Sequence, residues 1–391
     1  MSKLYEVIEK PMSGEWGRED EEGRGIPVLR TTNFTNEGYI DYSNVVTRII
    51  DPKKAKEKFL RKGDIIIEKS GGSPTQPVGR VVFFEGEEGK YLFNNFTSMF
   101  RLKDTKTSFP KFLFYYLFLN YKLGSTRKYQ NKTTGISNLK LDSFIKETEI
   151  NLPPLETQKY IAKILDTTAE LLALHKQQLK ELDNLTKSVF YDMFGDPVTN
   201  EKGWEVKKLG DVGELKSGGT PSRSNPKFFK GEIPWITTVA LGKTFIDESD
   251  AVEFITEEAI NNSATKLIKE NSLLFGTRVG VGKISINKVP MCTNQDIVAI
   301  VNVRVDLLNK VYLLKIIHAY SDYFNMHKRG ATIQGIKSET LNSINIPLPL
   351  LTLQNQFAAI VTKIEEQKAL VQKAIDETEY LFDSLMSGFF E

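Results

Sequence analysis

Between Pro154 and Pro197 the chain contains no proline, and after Pro349 none follows. Both stretches carry a regular seam. In the first it runs through Ile161, Leu165, Thr168, Leu172, His175, Leu179, Leu182, Thr186, Val189 and Met193. The steps alternate four and three, the rhythm of a left-handed coiled coil. In the second the matching positions are Phe357, Val361, Ile364, Lys368, Val371, Ile375, Thr378, Phe382, Leu385 and Phe389. An isolated helix that exposes such a seam is unstable in water. The spacing therefore predicts two long helices packed on each other, antiparallel if a pseudo-twofold axis relates them. About 30 helical residues would hold the flanking regions roughly 45 Å apart. One turn of B-DNA is about 34 Å. Pairing of these helices with another chain is the alternative.

The helices belong to a tandem repeat, which is the most informative kind of internal pattern. Leu152-Pro153-Pro154-Leu155-Glu156-Thr157-Gln158 resembles Leu348-Pro349-Leu350-Leu351-Thr352-Leu353-Gln354 at a shift of 196 residues. Upstream, Ile26-Pro27-Val28-Leu29 is matched with Ile233-Pro234-Trp235-Ile236, and Asn95 with Asn294. Residues 63–67 and 295–301 are rich in β-branched side chains and read as strands. Residues 111–121 and 310–327 read as helices, and the run Phe112 to Leu119 reads as buried core. The expected fold class is α+β: two α/β globular regions and two long helices pairing as an antiparallel coiled coil. The expected boundaries are 1–154, 155–195, 196–350 and 351–391.

Composition narrows the function. No run approaches the roughly 18 apolar residues of a membrane span, and MSKLYEVIEK has no apolar signal core. The single cysteine, Cys292, excludes an internal disulfide and a CxxC metal knuckle. These features point to a cytoplasmic protein. Net charge is only +2, so local distribution matters more. Lys122, Arg127, Lys128, Lys132 and Lys140 form a basic stretch with no acid among them, interleaved with Tyr121 and Tyr129. Such a stretch suits either a phosphate-contacting surface or a solvated loop.

Several segments together resemble a known family. They are Trp204-Glu205-Val206-Lys207-Lys208-Leu209-Gly210-Asp211-Val212, Ser217-Gly218-Gly219-Thr220-Pro221-Ser222, Ile233-Pro234-Trp235-Ile236 and Cys292-Thr293-Asn294-Gln295-Asp296. Met193-Phe194-Gly195-Asp196-Pro197 and the proline-then-glutamine junctions complete the set. Their order resembles the specificity subunits of type I restriction-modification systems, which serve host defence. The resemblance implies two target recognition domains, each reading half of a split asymmetric site in double-stranded DNA. It implies helices that set the gap and dock two methyltransferase subunits. S-adenosylmethionine would be bound by those partners and no cofactor by this chain; motor-nuclease subunits would be able to join. The first repeat departs from the pattern: it lacks the tryptophan opening and the Ser-Gly-Gly-Thr-Pro segment, and Lys69-Ser70-Gly71-Gly72-Ser73-Pro74 lies elsewhere.

Bases are read by Arg, Lys, Asn, Gln, Ser and Thr, while phosphates are held by cations and backbone amides. In the second repeat the candidate contacts are Ser217, Gly218, Gly219, Thr220, Arg223, Thr237, Thr238, Arg278, Gln295, Thr332 and Gln334. The glycines are expected to admit a phosphate. In the first repeat the candidates are Lys69, Ser70, Gln76, Arg80, Lys128, Lys132, Thr133 and Thr134. Arg80 and Arg278 are the favoured base readers. Each competes with the reading of a loop residue that caps its own turn.

No catalytic constellation emerges. In Asn151-Leu152-Pro153-Pro154-Leu155 a leucine intrudes and no aromatic follows, so it fails as an amino-methyltransferase site. Gly280-Val281-Gly282-Lys283 lacks the spacing and hydroxyl of a phosphate loop. His175, His318 and His327 share no ligand spacing. Glu68-Lys69 lacks the spacer of a nuclease Glu-x-Lys. The chain is therefore expected to be a non-catalytic subunit, the alternatives being a coiled-coil scaffold and an orphan DNA-binding protein without active partners.

Overall fold

The computed structural model of the chain describes all residues except Pro74, Thr134, Gly135, 329–334 and Glu391, with the backbone alone at Pro52, Lys132 and Thr133. It divides into two compact units, Met1–Leu174 with Ala374–Glu391, and His175–Lys373. The long helices run Leu155–Phe194 and Leu351–Phe390. Each is divided between the two units, the first after Leu174 and the second after Lys373.

In the first unit, strands Met12–Ser13, Thr97–Phe100, Ile65–Glu68 and Val81–Phe83 lie in that order in an antiparallel sheet. The Ile65–Glu68 strand is buried on both faces, which is why it reads as a continuous apolar run. Its alternation is still visible: Ile65 and Ile67 enter the main core, while Ile66 enters a smaller one with Val82 and Met99. Helix Pro110–Lys122 covers the main core with Phe112, Leu113, Leu117 and Phe118. Its proline sits in the first turn, where no amide donor is needed.

The second unit repeats this plan. Strands Glu214–Ser217, Ile297–Val301, Leu273–Gly276, Ile284–Asn287 and Phe245–Ile246 form one sheet. Leu273 and Phe275 face one core, Leu274 the other. Helix Lys310–Ala319 is capped by Asn309, whose side chain accepts the Val311 amide. The helix expected to reach residue 327 breaks at Tyr320, and a second one follows at Ser321–Met326.

Within each unit, the start of one long helix shares a core with the end of the other. Ile161, Ala162 and Leu165 lie with Phe382 and Met386 in the first, and Phe190 and Phe194 with Phe357 and Val361 in the second. This is the pairing antiparallel packing requires. Every seam residue named above is buried or half-buried. The polar seam position Lys368 is neutralised in place by Asp183 at 2.7 Å and Glu365 at 3.3 Å.

Hydrogen bonds correct the repeat alignment. Asn94, and not Asn95, matches Asn294: their amides donate to Leu29 and Ile236, and their carbonyls accept from Thr97 and Ile297. The first repeat also has its own opening. Lys3-Leu4-Tyr5-Glu6-Val7 matches Lys208-Leu209-Gly210-Asp211-Val212, each ending in a one-turn helix whose third residue caps the lysine amide. Ser13-Gly14 then matches Ser217-Gly218, since Gly14 and Gly218 donate to the carbonyls of Thr97 and Ile297.

Cys292 lies fully buried among Trp235, Phe228 and Ile255. Burial pushes its thiol up to about 11, against a smaller opposing effect of a hydrogen bond with Thr265. At pH 8 about a thousandth would be thiolate, the only nucleophilic form. The native chain should therefore leave a thiol-reactive chromophore unreacted at pH 8 and consume one equivalent once denatured. Rapid native labelling would show that this core opens.

Candidate nucleic-acid interface

Each unit builds the same small platform at one end of its main sheet. Its centre is a β-turn, Asn94-Asn95-Phe96-Thr97 in the first unit and Asn294-Gln295-Asp296-Ile297 in the second. The turn closes through Thr97 N–H to the Asn94 carbonyl at 3.1 Å, and Ile297 N–H to that of Asn294 at 3.2 Å. Beside it runs the end of the first sheet strand, Ser13-Gly14 or Ser217-Gly218. On its other side lies the segment that follows the central strand, Lys69-Ser70 or Thr277-Arg278. The Lys69 and Thr277 amides donate to Phe96 and Asp296 at 2.9 and 2.8 Å. Lys69-Ser70 and Thr277-Arg278 are thus equivalent, and six sequence candidates fall on the two platforms: Lys69, Ser70, Ser217, Gly218, Arg278 and Gln295.

In the first unit the Lys69 ammonium donates to the Ser13 hydroxyl. Partial burial, and next the charge of Lys58, hold Lys69 below the ordinary lysine range. Ser70 donates to Asn138 at 2.6 Å. Asn138 lies on Ile136–Leu139, which pairs with Ser70–Gly72 on one side and Gln130–Thr133 on the other. In this three-stranded sheet the backbone of Lys132 lies level with Gly72 and that of Thr133 one step beyond, while Asn131 is level with Ser70. Gln76 is exposed, its backbone tied to Ser73. Lys128 is exposed with its ammonium 4.8 Å from the Tyr129 ring centre.

In the second unit Thr220 donates to the Gln295 side-chain oxygen. Arg278 lies 3.5 Å from Asp296, with its side chain about half exposed. Ser217 is exposed at the strand end, and Thr237 is half-buried. Arg223 is exposed but engaged: both terminal nitrogens donate to Glu253, and its guanidinium stacks on Phe229 at 4.3 Å. That hydrogen bonding raises the Arg223 pKa and lowers that of Glu253.

Both matching regions of the chain, residues 1–184 and 201–380, fit the family model described as type I restriction modification DNA specificity domain. The chain belongs to that family. It is 33% identical over 219 residues to a type I restriction enzyme specificity subunit of Escherichia coli, covering 54% of this chain and 52% of that one. It is 23% identical over 406 residues to the putative MjaX specificity subunit of Methanocaldococcus jannaschii, covering 98% and 91%. Among solved structures, the S subunit of a type I restriction-modification system from M. genitalium shares the fold. Its TM-score is 0.58 at 14% identity, over 100% of this chain and 95% of that one. Members of the specificity family are DNA-recognition proteins and not catalysts. No helix among the described residues is long and apolar enough to cross a membrane.

Three expectations about DNA contacts in this family member need correction. Arg80 is not poised to read a base: it is 7% exposed, and its guanidinium donates to the carbonyls of Phe34 at 3.0 Å and Thr31 at 2.8 Å. It also lies 3.3 Å from Glu68, whose burial nonetheless holds that carboxyl above its usual range. Gly218 and Gly219 are buried, and what crowds them is protein, not an approaching phosphate. A Cβ on Gly218 would lie 2.2 Å from the Asn294 carbonyl oxygen, and one on Gly219 would lie 2.4 Å from the Thr265 nitrogen. Thr238 is 5% exposed and unavailable to a ligand. Thr134, Thr332 and Gln334 lie outside the described residues, as do the side chains of Lys132 and Thr133. Sequence reading missed Ser13, Asn95 and the exposed Phe96, all on the first platform. The signal that would have found Ser13 is Lys-Leu-x-acid-Val followed by Ser-Gly, shared by both repeats; Asn95 and Phe96 follow only once Asn94 is matched with Asn294.

Proposed function

We propose that each unit of this specificity subunit reads one half of a split, asymmetric DNA target through its platform. The observation that carries this reading is one rigid turn-and-strand platform built twice, with different side chains each time. Identical scaffolds bearing different hydrogen-bonding groups suit two different half-sites. Among the sequence candidates, Lys69, Ser70, Gln76, Lys128, Lys132, Thr133 and Thr134 would serve one half. Ser217, Thr220, Arg223, Thr237, Arg278, Gln295, Thr332 and Gln334 would serve the other.

The long helices would set the spacing and dock two methyltransferase subunits, which would hold S-adenosylmethionine; motor-nuclease subunits would join the assembly in the cytoplasm. Repeat-equivalent apolar residues left in solvent support docking. Leu174 and Leu370 are 61% and 62% exposed, and Leu185 and Leu381 are both 48% exposed. Exposed apolar groups at matched places suit two copies of one partner.

The test is single-molecule mapping of methylated bases in host DNA with the gene intact and deleted. A bipartite motif that loses its methylation on deletion is the expected result. A methylome that does not change would overturn the reading.

A further inference from the structure

The two platforms share one chemical feature beyond their backbone. At the second position of the turn each carries an exposed primary amide, Asn95 in the first unit and Gln295 in the second. The flanking turn positions diverge: Phe96 and Thr97 stand against Asp296 and Ile297. The amides are presented by a backbone fixed at several points. The residue before each donates to a neighbouring strand, at 2.9 Å to Leu29 or 3.0 Å to Ile236. The turn's own hydrogen bond closes it, and Gly14 or Gly218 packs hard against its first carbonyl. Such a turn needs no backbone ordering when it binds, which lowers the cost of placing its side chains.

The surroundings of the first amide suit a polyanion. Lys69 flanks Asn95, and Arg278 flanks Gln295. Two acids nearby are engaged by other cations, Glu15 with Lys58 at 2.6 Å and buried Glu68 with Arg80, and Asp296 is offset by Arg278 itself, so the second platform is electrically balanced. In the second unit the Thr220 hydroxyl donates to the Gln295 oxygen. That bond orients the amide, leaving its NH2 free to donate and one oxygen lone pair free to accept. A paired donor and acceptor of this kind matches the adenine edge in the major groove, N7 and N6–H2.

We propose that Asn95 and Gln295 are equivalent specificity-determining residues, each reading one adenine in the half-target of its own unit. This rests on the assignment of one half-site to each unit. Loss of a bidentate amide–adenine pair should reduce discrimination at that base roughly ten- to hundredfold.

The test replaces the chromosomal gene by alleles encoding Asn95→Ala, Gln295→Ala and Gln295→Glu, and maps methylated motifs in each strain. Asn95→Ala should relax one adenine in one half of the motif, and Gln295→Ala one adenine in the other half. A carboxylate accepts from cytosine N4. Gln295→Glu should therefore move the preference at its position from adenine to cytosine, a change no purely structural role would produce. Thermal melts of the purified variants should match the parent, because both side chains are exposed. Relaxation in the same half by both alanine variants, an unchanged motif, or uniform loss of methylation by a chain that melts normally would each overturn the proposal. A parent strain without any motif dependent on this gene would instead bring down the specificity reading, and this proposal with it.

Discussion

Replacing Gln354 by leucine is expected to cost the second unit about 4 kcal/mol, a large part of the roughly 5–15 kcal/mol that holds a domain folded. The side chain is fully buried. Its oxygen accepts the Asn309 amide at 2.9 Å, and its NH2 donates to Leu307 at 3.0 Å and Pro349 at 2.8 Å. Leucine is close to glutamine in bulk but supplies no partner, and each buried group left unpaired costs about 1–3 kcal/mol. Gln158 performs the same task in the first unit, accepting from Phe109 at 2.9 Å and donating to Thr107 at 2.9 Å and Pro153 at 2.8 Å. Tryptophan emission during denaturant unfolding can follow the units separately once the tryptophans of the other unit are replaced by phenylalanine, because Trp16 reports the first and Trp204 and Trp235 the second. Gln354→Leu should shift the emission of the latter pair, and Gln158→Leu that of the former. Glutamate should not rescue either, since a carboxylate cannot donate to two carbonyls. Asn355→Ala, which removes only an exposed contact with Asn309, should stay within about 0.5 kcal/mol of the parent. Equal effects of Gln354→Leu and Asn355→Ala would show that the clamp is not what holds the helix entry.

These glutamines were legible in sequence, because a proline junction followed by glutamine recurs at a fixed shift. The seams were legible too, since a period of 3.5 leaves a long, countable trace. The platforms were only half legible. Arg278 stood out between Gly276 and Gly280, and Gln295 within Cys292-Thr293-Asn294-Gln295-Asp296, but Asn95 did not, because the alignment slipped by one residue across loops of unequal length. Arg80 misled for a physical reason. An arginine near glycines looks like a surface reader, yet three partners, Thr31, Phe34 and Glu68, fold around it from distant parts of the chain. No local pattern encodes that convergence. The paired opening Lys3-Leu4 and Lys208-Leu209 was hidden because its recognisable tryptophan exists in the second repeat alone.

The glycines at the strand ends separate two accounts of the interface. If Gly218 served to admit a phosphate, Gly218→Ala would leave folding intact and weaken DNA binding uniformly, with a shallower salt dependence. The structure assigns it another task. A Cβ there would meet the Asn294 carbonyl oxygen and the Thr293 hydroxyl, each at 2.2 Å; on Gly14 it would meet the Asn94 carbonyl oxygen at 2.1 Å. Backbone atoms cannot swing aside as a side chain can, so the turn itself must move. We expect Gly218→Ala and Gly14→Ala each to cost about 3 kcal/mol, at the upper end of overpacking. Gly388→Ala is the control: it lies in the second long helix with open space around its Cβ and should be neutral or slightly stabilising. The expected functional consequence follows from position. A displaced turn carries Gln295 or Asn95 with it, so each variant that still folds should lose discrimination in one half of the target and keep it in the other. Denaturant unfolding and methylome mapping on the same variants decide between the accounts. A Gly218→Ala chain as stable as its parent would return the glycine to the phosphate.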